Sequence, residues 1–155
     1  MSPSPSGFPT LQPAIITKVN IGDVQPLETV PGYEPAFKAT VNFGADWLSF
    51  DPDGQHGRID LRGMAKTDDG HAIDFRYVGV IRMTEAVHKI FDLSPEMATV
   101  PFGQATGAHT FLVADPALKA LENSVFVSNG RIIVSATGLT VETRQSVVVA
   151  STDMD

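Results

Sequence analysis

The sequence predicts an all-β protein: a closed or nearly closed, mostly antiparallel small β-barrel of roughly seven to nine strands with one or two short helical inserts. Segments rich in β-branched residues recur at short spacing, separated by clusters of Gly, Pro, Asn and Asp. No strand–helix alternation runs along the chain, which disfavours a parallel α/β sheet. Closure would remove exposed sheet edges, and a β-sandwich is the alternative.

The 155 residues fit one domain. Residues 1–13 are rich in Pro and Ser, so they predict a flexible or extended arm; a sharper alternative is an arm that packs on a neighbouring subunit. Residues 14–155 then form the single barrel domain.

The first predicted strands follow directly after this arm. Residues 14–24 have the β-branched content of a strand, and residues 36–43 alternate between apolar and polar side chains. Residues 25–35 contain three prolines and a glycine, which predicts a loop or an edge segment. Residues 44–57 continue the second strand and then turn at an Asp-Pro-Asp-Gly sequence.

The centre of the chain contains the clearest hairpin signal. Residues 58–66 and 71–83 flank a Thr-Asp-Asp-Gly turn, whose sequence favours tight reversal of the chain. Two short helices are predicted after it. Residues 84–93 begin at Thr84 as N-cap, and residues 115–124 begin at Asp115 with a proline in the first helical position.

The C-terminal part of the chain is again β in composition. Residues 124–151 predict a strand, a turn at the Ser-Asn-Gly-Arg sequence, and then one or two further strands.

The charge and composition narrow the classes of partner. The net charge is −7, and an acidic surface repels phosphate backbones, so no nucleic acid is expected. No apolar run approaches the roughly 18 residues that span a bilayer, and no basic segment precedes an apolar one at the N-terminus, so we expect no membrane and no secretory signal. The chain lacks cysteine, which excludes disulfides and thiolate sites and favours a cytoplasmic location.

The central hairpin poses a question of orientation, because side chains alternate across a strand. One face of its first strand is apolar, with Ile59, Leu61, Gly63 and Ala65, and the other is polar, with Arg58, Asp60, Arg62 and Met64. The polar face can point to water. Alternatively, Asp60 and Arg62 lie inside the barrel as a hydrogen-bonded pair that lines a pocket. We adopt the second interpretation as our hypothesis.

Four segments carry a family resemblance. They are GADW (44–47), RIDLRGMAKTDDGHAIDFRYVGV (58–80), ATG (105–107) and NSVFVSNGR (123–131). Over roughly residues 36 to 150 the sequence resembles the domain-of-unknown-function 3237 family. The resemblance implies a small β-barrel with an interior cavity. It also implies similarity in shape to allene oxide cyclase and dirigent barrels, with fungal relatives that act as natural-product cyclases.

The resemblance transfers to single positions. Asp46 and Trp47 match its Gly-Ala-Asp-Trp element, Asp60 and Arg62 match an Asp-x-Arg strand, and residues 67–70 match its turn. Thr106 and Gly107 match a Thr-Gly step. Two departures imply a specialised substrate: Ala105 stands where the family has Glu, and FLVADPALKALEN replaces its Tyr-x-Trp-Leu-Asn run.

Motifs for metal or nucleophilic chemistry are not apparent in the sequence. The histidines at positions 56, 71, 88 and 109 lack the spacing of a metal pair, so neither a metal nor a cofactor is expected. No Gly-x-Ser-x-Gly elbow occurs. His109 follows the Thr-Gly step and is a candidate acid or base of the pocket, with a loop position as the alternative. Tyr77 shares a face with Ile73, Phe75 and Gly79, and is either a core residue or part of the site.

These observations predict a cofactor-free cyclase or isomerase. It would bind a small apolar, unsaturated natural-product intermediate and steer an intramolecular cyclisation or a Diels–Alder-type cycloaddition. The predicted catalytic residues are Arg62, Asp60, His109 and Tyr77. The predicted substrate-binding residues are Trp47, Asp46, Met64, Phe75, Arg76, Thr106, Phe111 and Phe126. The alternatives are a lipocalin-like carrier and a structural module with a filled interior, and a homo-oligomer is left open.

Overall fold

A computed structural model describes residues 5–20 and 25–154. In chain order the strands are β1 (Thr10–Asn20), β2 (Gln25–Thr29), β3 (Lys38–Asp46), β4 (Ser49–Phe50), β5 (His56–Thr67), β6 (Ala72–Arg82), β7 (Ala105–Val113), β8 (Phe126–Ser135) and β9 (Gly138–Val149). Helix α1 (Glu85–Phe91) follows β6, and a 3-10 helix (Pro116–Leu121) follows β7.

The strands form a closed antiparallel barrel. The hydrogen-bonded order is β3-β2-β1-β9-β8-β7-β6-β5-β4, and β3 also pairs with β5, which joins the two ends of the sheet. Eight strands thus make the closed barrel, and the short β4 extends the edge of β5 beyond the end of β3. The fold predicted from the sequence is confirmed.

The local signals at the β5–β6 turn and at the two helix starts are confirmed. The Thr-Asp-Asp-Gly sequence makes the β5–β6 turn, with Gly70 at φ +91°, a conformation that favours glycine. Thr84 caps α1 by accepting a hydrogen bond from the Val87 N–H at 3.3 Å. Asp115 caps the 3-10 helix by accepting from the Ala117 N–H at 2.8 Å.

The N-terminal boundaries differ from the prediction. Strand β1 begins at Thr10, because residues 10–13 pair with residues 146–149 of β9, so the arm predicted over residues 1–13 is shorter. Residues 1–4 and 21–24 lie outside the described part of the chain. Strand β2 falls inside the segment predicted as a loop or edge and pairs with strands on both sides.

The Ser-Asn-Gly-Arg turn predicted in the C-terminal part is wrong. Strand β8 runs straight through it, and the chain reverses between Ser135 and Gly138 instead. The Asn129 side chain accepts a hydrogen bond from the Gly103 N–H at 2.8 Å. Gly130 lies where a Cβ would come within 3.3 Å of the Ala105 side chain. These tertiary contacts override the local turn propensity.

Two apolar clusters close the barrel on either side of its middle. One is centred on Phe126, Leu27 and Ile15 and includes the two buried leucines of the 3-10 helix. The other joins Ile59 and Ile81 to the buried face of α1. Residues of both clusters line a cavity inside the barrel. Among the described residues, no helix is long and apolar enough to cross a membrane.

Candidate functional site

The barrel interior contains a cavity of about 770 Å³. That volume is typical of small-molecule sites, which are mostly apolar with a few polar groups. Its apolar walls come from several strands and include Leu48, Ile59, Leu61, Phe75, Ile81, Ile132 and Val141. Its polar walls include Thr17, Asp46, Tyr77, His109 and Thr143.

Tyr77 and His109 form the most distinctive contact in the cavity wall. They are directly paired across β6 and β7 and their side chains point inward. Their rings stack with centroids 4.2 Å apart and an interplanar angle of 7°. The imidazole Nε2 lies 2.9 Å from the Ser128 hydroxyl oxygen. The fold therefore fixes both the position and the orientation of the imidazole.

Two glycines make room for the Tyr77 ring. Gly79 and Gly107 are directly paired on β6 and β7, beside the tyrosine. A Cβ on Gly107 would lie 2.4 Å from Tyr77 Cε2 and 2.4 Å from the Val78 carbonyl oxygen. The glycine of the Thr-Gly step in the sequence is thus required by the close approach of an aromatic ring and a backbone oxygen.

Burial sets the protonation states of this pair. Desolvation lowers the pKa of His109 to about 3, so the imidazole is neutral at neutral pH. Desolvation also raises the pKa of Tyr77, more than the nearby Ser128 hydroxyl lowers it. At neutral pH the pair is therefore a neutral imidazole beside a protonated phenol.

Several buried polar atoms of the cavity wall lack a hydrogen-bond partner. Within the described residues these include the Tyr77 hydroxyl, His109 Nδ1 and Thr143 Oγ1. Nearby, Gln145 Nε2 donates to Thr17 at 3.0 Å while its Oε1 is unpaired. A buried polar group without a partner costs about 1–3 kcal/mol, so these atoms are candidates for hydrogen bonds to a ligand or to water.

A bulge directs Asp46 into the cavity. In the β3–β5 register, Val41 pairs with Ala65, but the next pair is Phe43 with Met64, so one residue is skipped. The inserted residue inverts the alternation, and Asp46, opposite the inward-facing Leu61, lines the cavity. Its Oδ1 accepts a hydrogen bond from the Asp60 N–H at 3.0 Å. Desolvation raises the pKa of Asp46; this backbone hydrogen bond opposes the rise, and the charge of Asp60 adds to it.

Four of the predicted site residues line the cavity: His109, Tyr77, Phe75 and Asp46. Phe111 and Phe126 are inward but belong to the apolar cluster beside the cavity, where their rings meet edge to face at 5.3 Å. They pack the barrel and do not line the cavity.

The predicted orientation of Asp60 and Arg62 is wrong. Both lie on the outer face of β5, and Asp60 pairs with Arg76 of the next strand at 3.1 Å, not with Arg62. The Arg62 guanidinium lies 5.9 Å from the centre of the Trp47 ring. The reason is that the opposite face, with Ile59 and its apolar neighbours, gains free energy by burial, whereas a buried arginine would need a buried counter-charge.

Four other predicted binding residues also lie outside the cavity. Trp47 is 63% exposed and Met64 is 48% exposed. Arg76 and Thr106 are exposed on the outer faces of β6 and β7. Trp47 lies between β3 and β4, and the other three side chains follow the alternation of β5, β6 and β7, whose apolar residues point inward.

Sequence reasoning missed the contribution of β8 and β9. Ser128 contacts His109, and Thr143 and Gln145 are buried inside the barrel. The signal was present: Thr143 and Gln145 alternate in phase with Val141 and Val147, the apolar inward residues of the same strand. Polar side chains in phase with core residues are candidates for an interior site.

Outside the cavity, Asp69, His71 and Asp115 are the one group of potential metal-ligating side chains among the described residues. His71 Nδ1 lies 3.1 Å from Asp69 and 3.9 Å from Asp115. Asp69 also accepts a hydrogen bond from Thr67, and Asp115 caps the 3-10 helix. We interpret the group as solvated polar contacts that stabilise the β5–β6 turn.

Comparison with known proteins shows the family and the fold. The profile of the family described as "Protein of unknown function (DUF3237)" matches residues 9–148. No curated protein matches the sequence.

Three solved structures are similar over nearly their whole length. A β-barrel-like protein from Acinetobacter baumannii has a TM-score of 0.62 at 19% identity, covering 94% of this chain and 99% of that one. A conserved protein of unknown function from Rhodopseudomonas palustris has a TM-score of 0.68 at 18% identity, covering 96% and 100%. A protein with unknown function from Clostridium acetobutylicum has a TM-score of 0.61 at 18% identity, covering 91% and 99%.

Proposed function

The chain belongs to the DUF3237 family, and we propose that it is a cofactor-independent isomerase or cyclase that acts on a small, largely apolar molecule held inside the barrel. The observation that carries the proposal is the pairing of an apolar cavity with unsatisfied polar atoms on Tyr77, His109 and Thr143. A ligand with one or two carbonyl or hydroxyl groups would satisfy those atoms and fill the apolar space.

The stacked pair supplies an acid and a base. The imidazole tautomer that carries its proton on Nε2 donates to Ser128 and leaves a lone pair on Nδ1. That lone pair can take a proton from the carbon next to a substrate carbonyl. The C–H electron pair then forms a C=C bond, and the carbonyl π pair moves to oxygen, which accepts a hydrogen bond from the Tyr77 hydroxyl.

The products follow from where the enolate reacts. Return of the proton to a different carbon gives an isomer. Attack of the enolate carbon on the electrophilic carbon of a C=O or C=C bond in the same molecule gives a ring; the π pair of that bond moves to its other atom, which takes the proton back from His109. The enolate provides the counter-charge that the unliganded site lacks, so it favours the protonated imidazole that burial otherwise disfavours. The cavity walls contribute by holding the substrate in one folded conformer. Alignment of the reacting atoms in this way can lower the activation barrier by several kcal/mol.

The carrier is the second candidate, and the burial of the pair favours it. Tyr77 and His109 are each only 4% exposed, so a substrate reaches His109 Nδ1 only after a small rotation of one of the rings. A carrier needs no such access, because it uses the apolar walls and the outermost polar groups alone.

Binding is tested with N-phenyl-1-naphthylamine, a neutral dye whose fluorescence rises in an apolar site. Intrinsic tryptophan emission is unsuitable, since Trp47, the single tryptophan, is exposed on the outside. We expect saturable binding by the protein and by Arg62→Ala, whose side chain is external. A filled structural module would give no saturable signal.

Catalysis is tested by hydrogen–deuterium exchange at the carbons next to the carbonyl of 2-tetralone in D₂O, followed by NMR. We expect exchange above the buffer rate, lost in His109→Gln and reduced in Tyr77→Phe by about 10²-fold or more, while Arg62→Ala retains it. Dye binding with exchange at the buffer rate would favour the carrier. Loss of exchange in Arg62→Ala would return the chemistry to the outer face.

A further inference from the structure

The cavity contains one carboxylate that no cation of the described chain neutralises. Of the cavity-lining residues, two are charged: Asp46 and Arg131. Arg131 is already engaged, because its guanidinium donates to Glu142 at 2.7 and 2.9 Å and lies 4.7 Å from the centre of the Phe102 ring. Among the charged residues of the described cavity lining, the Asp46 carboxylate is therefore the one without an ion-pair partner.

The carboxylate of Asp46 is also open to a new partner. Its Oδ1 accepts one backbone hydrogen bond, from Asp60, and Oδ2 makes none within the described residues. On the outer face, Arg76 pairs with Asp60, and the Arg62 guanidinium lies over the Trp47 ring, so neither forms an ion pair with Asp46. A carboxylate can accept about four hydrogen bonds, so most of the capacity of Asp46 is unused.

The fold places this carboxylate where a ligand would meet it. The bulge in β3 turns Asp46 inward, at the end of the strand. The side chain is exposed in the unliganded protein, so it lies at the opening of the cavity and not in its depth. Bulges of this kind commonly re-aim a side chain at a binding site.

We infer that the ligand carries a basic nitrogen, and that Asp46 binds the resulting ammonium group at the mouth of the cavity while the apolar part of the ligand occupies the barrel. This inference rests on the proposed function, whose site it shares. The net charge of −7 would also draw a cation toward the protein and repel a carboxylate or a phosphate.

The same placement connects the ammonium site to the acid–base pair. Burial is the main cause of the raised pKa of Tyr77, and the charge of Asp46 adds to it, which places the two groups within electrostatic range. Because Asp46 and Tyr77 line the same cavity, a ligand bound at Asp46 with its apolar part in the barrel would extend toward Tyr77. The ligand class is an amine-bearing carbonyl or hydroxyl compound with an apolar body.

The test compares three naphthalene compounds of matched shape as competitors of N-phenyl-1-naphthylamine at neutral pH and low salt. They are 1-naphthylmethylamine, which is cationic, 1-naphthalenemethanol, which is neutral, and 1-naphthoate, which is anionic. We expect the amine to compete about five- to tenfold better than the alcohol, and the naphthoate to compete worst.

Asp46→Asn should lower the affinity for the amine to that for the alcohol and leave the affinity for the alcohol unchanged. An asparagine Oδ1 can still accept from the Asp60 N–H, so the bulge is retained. Asp60→Asn is the matched control and should keep the preference, because its carboxylate faces outward. Added salt should reduce the preference for the amine as the charge is screened.

The outcomes separate the two proposals. If the dye binds but the amine competes no better than the alcohol, or if its advantage survives Asp46→Asn, the ammonium site is overturned and the cavity function stands. If neither the dye nor any naphthalene compound binds, the cavity function fails and the ammonium site fails with it.

Discussion

The rings of Tyr77 and His109 stack in parallel across β6 and β7, with centroids 4.2 Å apart. Three features of the fold hold the stack: the strand register that pairs the two residues, the Ser128 hydroxyl beside the imidazole, and the glycines that accept the phenol ring. The fold thus holds a phenol and a neutral imidazole side by side in one fixed arrangement.

The first prediction concerns the slot that holds the tyrosine ring. Gly107→Ala should lower the free energy of unfolding by about 2–4 kcal/mol, because the new methyl would meet a backbone oxygen that cannot move as well as the Tyr77 ring. Gly44→Ala is the matched control. Gly44 lines the same cavity, and the atom nearest to a Cβ added there would be 3.9 Å away. Urea unfolding measures the free energy of unfolding of both variants. An equal loss in the two would contradict the claim that the Tyr77 ring needs a glycine at position 107.

The second prediction concerns pH. The pKa of His109 is about 3 in the folded protein against an ordinary value of 6.5, so between these values the unfolded state binds the extra proton. The contribution of the neutral His109 imidazole to the free energy of unfolding is therefore fully present above pH 6.5 and is lost as the pH falls. At about pH 4.5 the loss amounts to about 2–3 kcal/mol.

His109→Gln removes this titration, and its urea midpoint should fall less steeply between those two pH values than that of the unmodified protein. Carboxylates titrate in both proteins, so the difference between the two curves isolates the histidine. Parallel curves would mean that His109 is not buried in its neutral form.

Local sequence signals predicted most of the fold because they depend on few residues. The β5–β6 hairpin depends on a glycine at φ +91°, and the two helix starts depend on capping side chains within three residues of the bond they accept. The Ser-Asn-Gly-Arg sequence failed as a turn because its partners, Gly103 and Ala105, lie on a distant segment. A local pattern cannot report contacts of that range.

The site was harder to predict. The alternation of side chains divides a strand into two faces but does not show which face points into the barrel. For β5 the apolar face of Ile59 and Leu61 packs inward, and this one choice decides the place of Arg62. Asp46, selected from the family resemblance, lines the cavity, whereas strict alternation from Val41 would have turned it outward. Bulges and cross-strand register are the properties that a single sequence does not state.

The third prediction concerns a carboxylate buried on the outer side of β9. Glu142 is 1% exposed and accepts from Arg131 at 2.7 Å and from Arg144 at 3.1 Å. Glu142→Gln should lower the free energy of unfolding by about 2–3 kcal/mol. The loss is smaller than for breaking a fully buried ion triad, because both arginines still reach water.

Asp51→Asn is the control for Glu142→Gln, since its pair with Arg58 is equally short but exposed. It should lower the free energy of unfolding clearly less than Glu142→Gln does, because water screens the exposed pair. Thermal or urea unfolding of both variants gives the comparison, and a similar loss in the two would show that burial does not distinguish these ion pairs.

The fourth prediction fills the cavity. Val141 points inward from β9 and lines the cavity, so Val141→Trp should occupy part of the 770 Å³ and abolish saturable binding of N-phenyl-1-naphthylamine. A tryptophan placed in existing empty space adds apolar contacts without displacing its neighbours, so the midpoint of urea unfolding should stay the same or rise.

Val78→Trp makes the same change on the outer face of β6, where the valine is 47% exposed, and should leave binding intact. If the dye binds Val141→Trp as tightly as the unmodified protein, the dye lies elsewhere and the barrel interior is not the binding site. If Val78→Trp also loses binding, the effect comes from the added tryptophan itself and not from the lost volume.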